Sequence, residues 1–429
     1  MRLTARFLGL CVIIFYARPA RAVTWSREIA PIIYKHCTYC HRDGQPAPFR
    51  LLSYADAKSH ASLIAKVTTA HYMPPWLPLW GYGRFAGERV LSAHEIFLIS
   101  AWARSGAPQG DPSLAPPPPE YRSEWQLGAP DQIVSLPHPL LARASGPDEY
   151  RCFVVPLSLG QDRYVDAFQF QPSGAQALHH ALFFVDGRQK EDLPPDYECF
   201  GAPGFLPTAA IGGWTPGSLA VRMPHGTAIH IARGARLVMQ LHFHPTGKAE
   251  SVNPRLALYF AAQPPTRYVM DVPLGSNRID IPPGDASYKV TDHFNLPVAV
   301  EVTGVIPHAH YICKEMKAWA ILPGGGRRWL LWIKNWDFNR QEQYHYEKPF
   351  TLPPDTELRM EFTYDNSAGN PRNPNHPPER VQWGPSSTDE MAGLHLQVIP
   401  ANDDDMHELG KALWGKFMRS AGGEFYRKP

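Results

Sequence analysis

Cys37-Thr38-Tyr39-Cys40-His41 is a C-x-x-C-H string. Its two thiols can add across the vinyl groups of a porphyrin, and the histidine that follows can ligate the iron. A redox dithiol or half of a zinc site would share the C-x-x-C spacing, but no second cysteine pair follows to complete zinc. Met73 is the only methionine between Met1 and Met223, so a His/Met axial pair on haem c requires it. It lies in His71-Tyr72-Met73-Pro74-Pro75-Trp76, where two prolines stiffen the loop that would present the sulfur. His71 is the competing ligand.

A second group of candidate ligands lies in β-patterned sequence. From Leu237 to His244 the odd positions are large and apolar, while the even ones include Gln240, His242 and His244, so one strand face is core and the other chemical. Two histidines on a solvated face would look the same. His308-Ala309-His310 again puts two imidazoles on one side of an extended chain. In Met391 to Val398 the even positions are small or apolar, so Met391 shares the polar face with His395 and Gln397. An edge methionine would also fit there. A thioether combined with imidazoles selects copper, especially Cu(I), over zinc or magnesium.

These groups need elements to hold them. Helical patterns run over roughly 25–36, 54–70 and 93–105, the last opened by a Ser92/Glu95 capping box and closed on Gly106. Pro112 to Pro119 includes four consecutive prolines, a semi-rigid polyproline spacer that would keep the flanking regions close. Beyond it, short runs rich in Val, Phe, Tyr and Thr recur between turn residues up to about Pro400, the pattern of antiparallel sandwiches. Proline is 45 of 429 residues, about twice the usual 5%, which disfavours a helix bundle. The tail over 401–429 carries Leu409, Leu413, Trp414 and Phe417 at helical spacing, which predicts a helix docked on the sandwich.

The first 22 residues have Arg2 and Arg6, an apolar run from Phe7 to Tyr16, and Ala20-Arg21-Ala22. This is the pattern of a cleaved export signal, predicting a periplasmic or secreted protein without a stable membrane anchor. Cleavage would take the formal charge from +2 to −2, which disfavours nucleic acid as a partner. Five cysteines would remain, an odd number, so not all can form disulfides.

The segment 23–112 resembles a small class I cytochrome c. Leu178-His179-His180-Ala181, Gln240-Leu241-His242, His308-Ala309-His310 and Ser387-Thr388-Asp389-Glu390-Met391, with Gly213-Trp214-Thr215-Pro216-Gly217, occur in the order of the copper motifs of the peptidylglycine α-hydroxylating and dopamine β-monooxygenases. The resemblance spans about residues 145–400. With the Pro-rich linker (113–144) and helical tail (401–429), the two resemblances imply a multidomain chain: a small all-α cytochrome c domain (23–112) and two all-β jelly-roll-like sandwich domains (145–270 and 271–400). The resemblance to the monooxygenases further implies a first copper on His179, His180 and His242, and a second, oxygen-activating copper on His308, His310 and Met391. Ascorbate or another external electron donor, O₂ and a small organic substrate would complete the reaction.

Adjacent residues of a regular strand face opposite ways, so His179 and His180 can share a metal only at a bulge or strand end; His244 is the substitute otherwise. Cys152 and Cys199 occupy positions similar to a bridged pair in the family. Cys313 is then the odd thiol, with a buried small hydrophobe as its plain reading. The family's substrate-carboxylate clamp is missing, because Ile306, Gly393 and His395 stand in its places. Two functional classes follow: an exported copper monooxygenase fed through a fused haem, or a non-enzymatic haem and copper electron carrier.

Overall fold

The computed structural model describes residues 22–421 apart from 44, 46, 122–124, 174–175, 189–192, 200–202, 206 and 385. The export-signal expectation rests on residues outside this set, Ala22 excepted. No helix among the described residues is long and apolar enough to cross a membrane.

Most of the chain is antiparallel β-sheet. Two sheets face each other in the first unit. One has the strand order Asp196–Glu198, Glu149–Pro156, Arg236–Phe243, Leu178–Asp186 and Ala209–Trp214, and the other is built on Gln132–Ser135, Arg255–Phe260 and Arg163–Gln171. Leu237, Met239, Leu241 and Phe243 point into the core between them, with Phe168, Phe170 and Phe183. The opposite face of Arg236–Phe243 is not solvated, as alternation alone would allow. Val238 packs against the Cys152–Cys199 disulfide, and Gln240 and His242 are buried.

The second unit repeats the plan. Met270–Gly275, Gly393–Pro400, Val300–His308 and Tyr344–Leu352 form one sheet; Tyr288–Asn295, Glu357–Tyr364, Cys313–Ile321 and Arg327–Ile333 form the other. Leu396, Val305, Phe362 and Met316 belong to the core they enclose. Cys313 is a buried, free thiol in the same core.

The N-terminal helices Ala30–His36, Ala61–Thr69 and Ala93–Arg104 surround their own small core of Trp25, Ile33, Ile64, Ile99 and Trp102. Ser92 accepts from the Glu95 amide while the Glu95 carboxylate takes the Ser92 amide, the reciprocal cap read from the sequence.

Two expectations need correcting. The stretch 113–144 is not all spacer, because Gln132–Ser135 and Leu140–Ala142 are strands, the first paired with Arg255–Phe260. Nor is proximity left to the prolines: the segment after Met73 lies on the second sandwich. Leu79 donates to the Trp332 carbonyl at 2.8 Å, Ala86 to that of His345 at 2.8 Å, and Phe85 sits 4% exposed in the second core. Gly83, at φ +123°, permits the close approach, since a Cβ there would meet the Phe85 ring at 2.5 Å and the Leu330 carbonyl oxygen at 2.9 Å. The tail helix Asp403–Ala421 docks through Leu409, which is wholly buried, and through Leu413, but Trp414 and Phe417 face outward.

Candidate metal centre

His179, His180 and His242 converge. Their Nδ1 atoms form a triangle with sides of 3.0 Å (His179 to His242), 3.2 Å (His242 to His180) and 3.3 Å (His179 to His180). One ion could lie about 2 Å from all three, the length of an ordinary metal–imidazole bond. A bulge makes this possible. On the strand Leu178–Asp186, His180 pairs with His242 and Leu178 with Phe243, leaving His179 as the extra residue. Two residues then oppose one, and adjacent imidazoles reach the same side of the sheet.

His244 is not part of the triangle. It is mostly exposed and donates from Nδ1 to Asp148 Oδ1 at 2.7 Å, while His242 donates from Nε2 to Asp148 Oδ2 at 2.8 Å. Asp148 thereby holds His242 in the tautomer that frees Nδ1 as a ligand. Burial acts to raise its carboxyl, but the hydrogen bonds from the two histidines prevail and hold it down at about 2. Burial, with neighbouring imidazoles, lowers His179 to about 4 and His180 well below the usual histidine range. Neutral imidazoles with free lone pairs are what a metal needs.

His308 and His310 close one strand and begin the loop beyond it, with ring centroids 5.2 Å apart. His308 Nδ1 donates to Gln341 Oε1 at 2.6 Å and His310 Nδ1 to the Asp389 carbonyl at 3.1 Å, leaving Nε2 of each as the donor atom. Burial lowers His308 to about 4 and lowers His310 as well. Glu390, fully buried, joins this loop to Met391. Its carboxylate accepts from the amides of His310 and Ile312 at 2.8 Å each and from that of Met391 at 3.1 Å. Burial pushes the carboxyl up to about 8 against these bonds. Tyr364 donates from its hydroxyl to the Met391 carbonyl at 2.7 Å.

The two groups share a space. A cavity of about 910 Å³ is lined by His180 of the first sandwich, by His308, His310 and Met391 of the second, and by Trp76 and Arg89 from the N-terminal region. Arg89 bonds the Gly217 carbonyl at 3.2 Å and pairs with the buried Glu342.

In the C-x-x-C-H segment, Cys37 and Cys40 are free, and His41 donates from Nδ1 to the Phe49 carbonyl at 2.9 Å, so its Nε2 can ligate. Burial, and then the neighbouring Cys40, pushes the Cys37 thiol up to about 12. Met73 is half-buried, whereas His71 is exposed. Tyr39 donates from its hydroxyl to the Ser218 carbonyl at 3.4 Å, which seats this segment on the loop after strand Ala209–Trp214.

Asp148, Gln341, Glu390 and the Arg89–Glu342 pair escaped the sequence reading. Glu390 alone had a local signal, its place beside Met391. The others act on partners far along the chain.

No protein-family model matches the chain, and no curated protein matches it in sequence. Among solved structures it is similar to the PBSX exported protein XepA (8% identity, TM-score 0.18, 54% of this chain and 86% of that one). It is also similar to the VP2 subviral particle of infectious bursal disease virus (10%, 0.19, 66% and 75%) and to PBCV-1 VP54 fitted into the virophage Sputnik (6%, 0.21, 65% and 96%). Likenesses this faint carry no argument about function.

Proposed function

We propose that this protein is an exported copper monooxygenase that hydroxylates a C–H bond of a small organic substrate with O₂, and that the N-terminal region is a cytochrome c feeding it electrons. The single observation that carries the reading is the triangle of three Nδ1 atoms, one of whose histidines, His180, lines the same cavity as His308, His310 and Met391. In this reading the sandwiches are the jelly-roll-like pair of the family, His179, His180 and His242 hold one copper, and His308, His310 and Met391 hold the other. Copper so held supplies one-electron redox chemistry and the activation of O₂.

The chain's own share is positional. Asp148 and the bulge aim three lone pairs at one point, Gln341 and the Asp389 carbonyl orient two more, and Glu390 fixes Met391 to the same loop. For haem c, Cys37 and Cys40 would be the attachment points, with His41 and Met73 as axial ligands. The raised thiol of Cys37 argues against a redox dithiol, whose attacking cysteine needs a lowered pKa. The exposure of His71 favours Met73.

A pure electron carrier has no use for a cavity of about 910 Å³ between its metal sites, which favours the enzyme. The test is O₂ consumption by the reduced, copper-loaded protein across a panel of C–H substrates, with product detected by mass. Two coppers per chain and substrate-dependent uptake are expected. Failure to bind Cu(I) under anaerobic loading would overturn the copper reading, and two bound coppers without such uptake would leave the carrier.

A further inference from the structure

The loop Phe338 to Gln343, between strands Arg327–Ile333 and Tyr344–Leu352, touches both candidate metal groups and the N-terminal region. Phe338 stands between the rings of His179 and His310, at centroid distances of 6.1 and 5.6 Å. Asn339 reaches His179. Gln341 accepts from His308 Nδ1 at 2.6 Å. The residues on either side of Gln341 are held by the N-terminal region. Arg340 donates to the Tyr72 carbonyl at 2.9 Å, with its guanidinium 4.2 Å from the Tyr72 ring, and Glu342 pairs with Arg89. The Arg89–Glu342 latch is largely buried, with side chains 15% and 9% exposed; in the other, Arg340 is 14% exposed and Tyr72 lies at the surface.

The geometry points to Gln341 as a positioning residue for His308, itself set by the docking of the N-terminal region through Arg340–Tyr72 and Arg89–Glu342. A loop residue clamped at both neighbours has little freedom to turn its amide away, and a ligand imidazole keeps its orientation through the acceptor on its other nitrogen. The N-terminal region is thereby a structural part of the His308 site as well as its neighbour. The consequence for copper rests on the reading of His308 as a ligand; the positioning does not.

The test uses the full chain, metal-free, with ¹⁵N-labelled histidine. Long-range nitrogen–proton correlation reports which ring nitrogen carries the proton, and loss of one signal set in His308→Gln assigns His308. The Nδ1–H tautomer is expected in the parent. Gln341→Leu should shift it toward Nε2–H, and Gln341→Glu, which retains an acceptor, should restore it. The paired change Arg89→Met with Glu342→Met removes the latch without stranding a buried charge, and should shift His308 while leaving the His180 signals in place. Arg340→Leu, a milder change, should do so partially. Titration with Cu(I) against a chelator should show the second site weakened about 10- to 100-fold in Gln341→Leu and the first unchanged.

An unmoved His308 signal in Gln341→Leu overturns the positioning role. An unmoved signal in both latch variants, or equal movement at His180, overturns the dependence on docking. If the parent takes up no Cu(I), the copper reading falls while the tautomer measurement still decides this one.

Discussion

The two candidate metal groups solve the same problem with different means. In the first, three imidazoles already point at one spot, His242 is 1% exposed, and a carboxylate outside the triangle fixes the tautomer. In the second, two imidazoles stand 5.2 Å apart on a cavity wall, oriented by a neutral amide and a backbone carbonyl, and the methionine is tied in through its backbone. The first arrangement suits a centre whose coordination changes little as an electron comes and goes. The second leaves room for something other than protein to approach. Sheet architecture is shared between them, so the difference comes from what surrounds each strand end.

The largest effect should fall on both groups alike. In the metal-free protein His179 and His308 are held at about 4, against about 6.5 in an unfolded chain. The unfolded chain therefore takes up protons first as pH falls. Stability is intact above about pH 6.5, is lost progressively from there to about 4, and changes no further below that on account of these groups, by about 3 kcal/mol for each histidine. Urea melts at pH 7 and pH 5 check this, and bound metal should raise stability at both without flattening the slope, because metal-held imidazoles also stay unprotonated. A flat profile would mean the imidazoles are solvated.

The next effect separates the groups. Glu390→Ala strands three buried amides of the His310–Met391 loop and should cost about 3 kcal/mol, read by thermal melting. On the copper reading it should also halve copper stoichiometry by emptying the second site. If the protein melts as before and holds two coppers, Glu390 does not organise that loop.

The smallest effect sharpens the contrast from the other side. Asp148→Asn keeps the shape but weakens acceptance from His242 Nε2, so affinity at the three-histidine site should fall about 10- to 100-fold with the second site unchanged. Competition with a Cu(I) chelator would reveal it. Equal loss at both sites would show that the two are not independent.

Residue type and spacing by themselves determined a good deal. Alternation marks the sandwich strands, the H-x-H spacing brings His308 and His310 together although the strand ends at His308, and Ser92 with Glu95 announces a helix start; all depend on neighbours in the chain. The pairing of Cys152 with Cys199 came from likeness to a family, and the structure has that bridge. What only the tertiary structure decided is non-local. A strand pattern predicts that His179 and His180 diverge, and the bulge that unites them exists only in register with Arg236–Phe243. Alternation marked the even face of that strand without saying that Val238, Gln240 and His242 would be buried by other elements. Asp148 meets His242, Gln341 meets His308, and Glu342 meets Arg89 across 94, 33 and 253 residues of chain. Such partners carry no periodic signal, because the chain between them can be any length the fold closes over, and only the closed fold sets their distance.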